Sequence, residues 1–346
     1  MRLALSIAGW IVLVLLVGVL VAAAWFARPL GKGELASKPS PADDYEEAVR
    51  RIDEVKAAEA EMPLQAVGRS YALLHPSRTE TAVVVFHGYT DVTDQFSKVA
   101  QGYYDAGFNV WVPRMPFHGH IDRMTNDQSK ITAEVLRQAA DANIDIATGL
   151  GHNVEVIGLS GGGALSVWAA AERPDVTRTV IISPLMLPQG YKPWMVRPLA
   201  RLVAVLPDTY TWWTEKQAAE PGPEYPRYSR HGITAYLMMA ERAKADGAKG
   251  ARPVRGDVVV VSNLADTHLD TTYPIDVMRP LVREDRSFRS VVIPASEGLP
   301  HDFVAANGEN AERTRVAYRY LSEAIGIPLP DPLGLADAKD KTDTGN

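Results

Sequence analysis

The chain contains no cysteine, which excludes disulfides, thiolate metal sites and a cysteine nucleophile and leaves the compartment to be read from other features. It has no long basic run and no basic helix, and its net charge of -6 is mild, so a nucleic-acid partner is not expected. No internal repeat is visible. The glycine cluster around Ser160 is not followed by lysine, so it is not a Walker-type phosphate loop, and no cofactor is expected. With near-average hydrophobic and charged fractions, 346 residues can bury one large core or two modest ones, and disorder is not the main state.

What is present centres on Asn153 to Arg173. Val154, Val156 and Ile157 are β-formers that read as a short buried strand, whereas Ala164, Leu165, Val167, Trp168, Ala170 and Ala171 read as a packed helix. Between them stands Gly158-Leu159-Ser160-Gly161-Gly162, which fits G-x-S-x-G. Such a turn is tight enough to strain the serine, and the flanking glycines leave room because they lack Cβ. The serine hydroxyl is then pushed out at the carboxyl end of a sheet. The helix start beneath it presents free N–H groups, that of Gly161 among them, where an oxyanion would form.

In chain order, Leu3 to Ala27 is apolar or glycine except for Ser6, a run of 25 residues, against about 20 for a helix that spans a bilayer. A cleaved signal ending in Ala22-Ala23-Ala24 is the competing reading, but signal apolar regions are shorter, about 7–15 residues, and an anchor is favoured. Arg2 argues for an internal amino terminus, while Arg28, Lys32 and Lys38 argue for an internal catalytic domain. The expectation is a single-pass membrane protein with its domain outside the cytoplasm. Segments 1–30 and 31–63 are then the anchor and a linker with a polar helix over Tyr45 to Ala60. A core over 64–183 and 256–326 is interrupted by an insert at 184–255, and 327–346 is a Pro, Asp and Lys-rich tail with little to bury, expected to be disordered. Within the core, strands near Arg69–Leu74, Thr81–Phe86, Phe108–Pro113, Val176–Ser183, Asp257–Ser262 and Ser287–Ile293 alternate with helical segments. That alternation predicts an α/β fold with a mostly parallel sheet covered on both faces.

Reactive groups of such a sheet collect on loops after the strands. A serine hydroxyl needs a general base and a group that orients the base. His301 lies in the loop after the last predicted strand and suits the base. Asp266 follows the strand over Val258–Val261 and suits the orienting acid, with Asp270 and Glu297 as rivals. The order Ser160, Asp266, His301 is that of the α/β-hydrolases. From about Leu64 to Ile325 the sequence resembles that superfamily, most closely its monoglyceride-lipase, carboxylesterase and lysophospholipase-like members. The resemblance rests on His87-Gly88, Pro116-Phe117-His118-Gly119, Gly158 to Gly162, Asp266 with Leu269-Asp270, and His301. It implies a catalytic triad of Ser160, His301 and Asp266, with the backbone N–H groups of Tyr89 and Gly161 as the oxyanion hole. Relatives usually read Pro-Gly-His-Gly where this chain has Phe117, which puts the local turn in question. His118-Gly119-His120 could be read as metal ligands, but no carboxylate motif adjoins it and structural histidines are expected.

The insert at 184–255 falls where the resembling enzymes carry a cap. It holds Trp194, Trp212, Trp213, Tyr191, Tyr210, Tyr225, Tyr228, Tyr236 and four methionines, an adaptable apolar wall suited to an acyl or aromatic ester. The expected function is membrane-anchored hydrolysis of carboxylic esters, lipid-like or apolar, through an acyl-enzyme. A peptidase, thioesterase or acyltransferase on the same triad, or a silent anchored binding module, is the alternative. Oligomeric state is not legible.

Overall fold

A computed structural model describes residues 2–28, 30, 33–213, 222–247, 251, 253–305 and 311–332. Its sheet has seven strands: β1 Tyr71–Leu73, β2 Thr79–Phe86, β3 Asn109–Val112, β4 Gly151–Leu159, β5 Val176–Ile182, β8 Asp257–Asn263 and β9 Phe288–Ile293. Their order is β1-β3-β2-β4-β5-β8-β9, with β1 antiparallel to β3 and every other pair parallel. Two short strands, β6 Tyr210–Trp212 and β7 Arg227–Ser229, form a separate hairpin within the insert.

Alternate residues of each strand face opposite sides of the sheet, and both sides are covered. Val84, Phe86, Val156 and Val260 pack with Leu136 and Ile144 of α4 (Ala133–Leu150), Trp168 of α5 (Gly161–Glu172) and Met278. Val83, Val85, Ile157 and Val261 pack with Val99 and Tyr103 of α3 (Ser97–Asp105) and with Leu321 and Ala324 of α9 (Ala311–Ile325). Double coverage explains why Ala82 to Phe86 reads as an unbroken apolar run rather than an alternation. Thr132 caps α4 by accepting from the Val135 N–H, the usual role of threonine at that position.

The sheet order places a switch point between β2 and β4: the chain leaves β2 toward β3 on one side and β4 toward β5 on the other. Loops diverge there and leave a crevice at the carboxyl ends of the strands. Ser160 and the His87-Gly88-Tyr89 loop both occupy that crevice.

Three segments outside the sheet matter for function. α1 (Arg2–Ala27) includes Trp10–Ala27, a stretch with no buried residue that is long and apolar enough to cross a membrane. The stretch expected as a linker is strapped to α4. Asp141 accepts from Ser37 Oγ at 2.5 Å and Lys38 N at 2.9 Å, Asp145 accepts from Ser40 N at 2.8 Å, and α2 (Tyr45–Ala60) then packs on the same helix. The insert contains α6 (Pro193–Val205), the β6–β7 hairpin and α7 (Arg230–Gly247), and α7 lies on α5. Short α8 (Tyr273–Met278) follows β8. The start of the expected disordered tail is packed instead: Leu329 N donates to Ser322 Oγ at 3.1 Å, and Arg315 pairs with Asp331 at 3.2 Å. Residues 333–346 lie outside the described residues.

Candidate active site

Ser160 stands at the turn from β4 into α5 with φ 55° and ψ -111°, a region that residues with a Cβ rarely adopt. The turn closes on itself: Ser160 N donates to Ile182 O at 3.0 Å, and Leu185 N donates to Ser160 O at 2.8 Å. Room for it depends on glycine. A Cβ on Gly158 would stand 2.4 Å from the Gly162 carbonyl, and one on Gly162 would stand 1.9 Å from Phe86 O. Among the described residues Ser160 Oγ has no hydrogen-bond partner, so no bond to His301 is formed in this state; such contacts often tighten only once substrate is bound.

His301 and Asp266 are brought together by the pairing of β8 with β9. His301 Nδ1 donates to Asp266 Oδ2 at 2.6 Å, and Asp266 Oδ1 accepts from the N–H groups of His268 at 2.8 Å and Leu269 at 3.1 Å. The Asp266 side chain is fully buried, and burial alone would raise its pKa. The His301 bond and charge and the two backbone donors outweigh it and hold the carboxyl below its usual range. An ionised Asp266 requires the proton on Nδ1, which leaves the Nε2 lone pair for an incoming proton. The rivals are used elsewhere. Asp270 Oδ1 accepts from Thr272 N, Thr272 Oγ1 and Tyr273 N at the start of α8, and Glu297 Oε1 accepts from Tyr320 OH at 3.1 Å.

Tyr89 and Gly161 meet across the switch point: a Cβ on Gly161 would lie 2.9 Å from Tyr89 N. Neither N–H has a protein acceptor among the described residues, whereas that of Gly88 is taken by Gln95 Oε1 at 2.7 Å. The insert pins the same loop. Trp213 Nε1 donates to Thr90 Oγ1 at 2.9 Å and Tyr225 N to Thr90 O at 2.7 Å, and Thr90 itself holds φ 75°.

Two histidines near this loop are bonded to the backbone. His87 Nδ1 donates to Gly88 O at 2.9 Å while its Nε2 accepts from Met115 N at 3.1 Å. His118 Nδ1 donates to Pro116 O at 2.9 Å, and its ring packs edge-on against His87, Tyr89 and Tyr225. Burial lowers the basicity of both, His87 to about 4. Phe117, where the resemblance implies glycine, adopts a left-handed turn at φ 64°.

One neighbour had no part in the sequence reading. His268, two residues after Asp266, stands with its ring centroid 5.5 Å from that of His301 and 5.3 Å from that of Trp213. Burial lowers its basicity, and the facing His301 adds to that. The only available signal was the Asp-x-His spacing after a strand. His268 borders a cavity of about 500 Å³ under α6, whose wall also includes Leu185, Val196, Ala200, Trp213 and Leu237. Trp194, expected in such a wall, is instead 75% exposed, because it lies on the face of α6 turned away from the cavity.

A family model for the alpha/beta hydrolase fold matches residues 81–219. No curated protein matches the sequence. Among solved structures, one of the metagenome-derived lipolytic enzymes LipS and LipT is similar at TM-score 0.55 and 18% identity, covering 76% of this chain and 99% of its own. The Paleococcus ferrophilus monoacylglycerol lipase is similar at TM-score 0.51 and 18% identity, covering 73% of this chain and 98% of its own. A soluble variant of the Saccharomyces cerevisiae monoglyceride lipase, solved with a substrate analogue, has TM-score 0.51 and 11% identity over 73% of this chain and 89% of its own. At such identities the likeness is one of fold.

Proposed function

This chain is an α/β hydrolase by fold, and from that premise we propose that it is a membrane-anchored serine hydrolase that cleaves carboxylic esters with an apolar acyl part. Ser160 Oγ attacks the ester carbonyl as His301 Nε2 takes its proton, and Asp266 holds the ring and stabilises the imidazolium. The N–H groups of Tyr89 and Gly161 receive the tetrahedral oxyanion, where one such donor is worth about 3 kcal/mol. His301 returns the proton to the leaving alcohol, and water then releases the acyl group by the same route.

The observation that carries this reading is the 2.6 Å Asp266–His301 bond, set on the sheet rim that also bears the strained serine. The cavity beside His268 supports an apolar acyl group, and α1 supports the anchor. The test pairs a fluorophosphonate probe with p-nitrophenyl esters of graded length. Wild type is labelled and Ser160→Ala is not. Asp266→Asn loses about 10³–10⁴-fold in kcat, the scale for a misoriented base. Equal labelling of wild type and Ser160→Ala refutes the proposal.

A further inference from the structure

The carboxyl end of α1 is seated on the cap. Arg201 of α6 donates to the carbonyl oxygens of Trp25 at 3.5 Å, Phe26 at 3.4 Å and Arg28 at 2.5 Å, in the stretch where a helix leaves carbonyls without intrahelical partners. The Arg201 guanidinium also stands 3.6 Å from the Glu34 carboxylate, which pairs with Arg28 at 2.8 Å, and Arg28 lies over the Trp25 ring.

This junction sets the height of α6. A helix of 26 residues is about 39 Å long at 1.5 Å per residue, against a hydrocarbon core of about 30 Å. The end of a spanning α1 therefore emerges at headgroup level, and α6 is held there with it.

A surface helix ordinarily has one apolar face, but α6 has two. Val196, Ala200 and Val203 turn toward the cavity. Trp194, Leu202 and Val205 turn outward, with Val205 68% exposed, and Tyr191 and Leu206 extend the patch. Between Gly190 and Pro207 the charged residues are Lys192, Arg197 and Arg201, with no carboxylate. An exposed tryptophan among aliphatic side chains, with the exposed Lys192 beside it and no carboxylate in the segment, is a composition that beds at a lipid headgroup boundary.

We infer that the outward face of α6 lies in the boundary layer of the same bilayer that α1 crosses, so that the cavity on its other face takes a bilayer-resident amphiphilic ester rather than one dissolved in water. The lipid surface is the favoured occupant because the patch is continuous with the exposed apolar surface of α1 and the Lys192 charge beside it complements anionic headgroups. The inference rests on the anchored ester-hydrolase reading and names the source of its substrate.

The test uses the full chain in phosphatidylcholine–phosphatidylglycerol vesicles with two substrates, water-soluble p-nitrophenyl butyrate and a long-chain monoacylglycerol carried in the vesicle. Replacing the outward face, Trp194→Glu with Val205→Glu, lowers monoacylglycerol turnover by about tenfold or more, while butyrate turnover stays within about twofold. Arg201→Ala acts in the same direction by loosening the junction, and Val205→Glu alone serves if the double variant does not fold. Unchanged rates on both esters, or an equal fall on both, overturn the inference. So does conversion of a detergent-solubilised dimer to a monomer, which would make the face a contact between copies. A wild type inert toward both esters would instead remove the hydrolase reading beneath it.

Discussion

Replacing Ser160 by glycine or by alanine should separate chemistry from strain. Both changes remove the hydroxyl, and neither breaks a hydrogen bond, since Ser160 Oγ has no partner among the described residues. They differ in backbone. At φ 55° and ψ -111° alanine keeps the steric cost of a Cβ, about 1–3 kcal/mol, whereas glycine is released from it. Glycine gives back about 0.5–1 kcal/mol through its freer unfolded chain. The net expectation is that Ser160→Gly is more stable than Ser160→Ala by about 1–2 kcal/mol, or roughly 1–3 °C in melting temperature for a chain of this size. Calorimetry of the full chain in detergent measures the difference, and ester hydrolysis should be lost equally in both. A glycine variant that melts with the alanine variant, or below it, would show that the turn stores no strain and that its unusual backbone is not held against a cost.

Three further outcomes follow from the groups around the serine. Burial holds His87 neutral down to about pH 4, while the unfolded chain takes up that proton near its ordinary value of about 6.5. The unfolded state therefore binds more protons in this window, and stability falls as pH drops through it, by roughly 3 kcal/mol in full. His87→Gln should make urea midpoints less steep against pH over that range, leaving the slope of like sign from buried His118. Tyr89 OH donates to Ser229 O at 3.0 Å and Gln128 Oε1 at 3.2 Å, so Tyr89→Phe costs about 1 kcal/mol of stability yet preserves turnover, because the proposed donor is the backbone N–H. Gly161→Ala, whose Cβ would press on Tyr89 N at 2.9 Å, should lower kcat by about 10²-fold; steady-state kinetics distinguish the two.

The sheet and the elbow were legible because their signals are local. Ala82 to Phe86 is an apolar run ended by His87-Gly88, and Gly158 to Gly162 sits where period and turn chemistry change together. Asp266 could be set ahead of Asp270 because it is nearer the end of its strand; Asp266 bonds His301, whereas Asp270 bonds at the start of α8. What was not legible depends on contacts between distant residues. Trp213 meets Thr90 across 123 positions, and which face of α6 carries Trp194 is decided by how α6 lies over the cavity. The strap looked like a linker because Ser37, Lys38 and Ser40 are ordinary loop residues; their partners Asp141 and Asp145 are over 100 positions away. Phe117 in a left-handed turn breaks a local rule that no pattern of periods could anticipate.

That strap has a mechanical meaning. A leash of polar residues would let a tethered enzyme swing through a wide arc and sample neighbouring surfaces, as a flexible linker does. Here Ser37, Lys38 and Ser40, 10 to 13 residues past the end of α1 at Ala27, are each fastened to α4, so little slack is left to pay out. Given the anchoring proposed above, the domain rides at one height and one heading, and its reach is confined to the leaflet in which it stands.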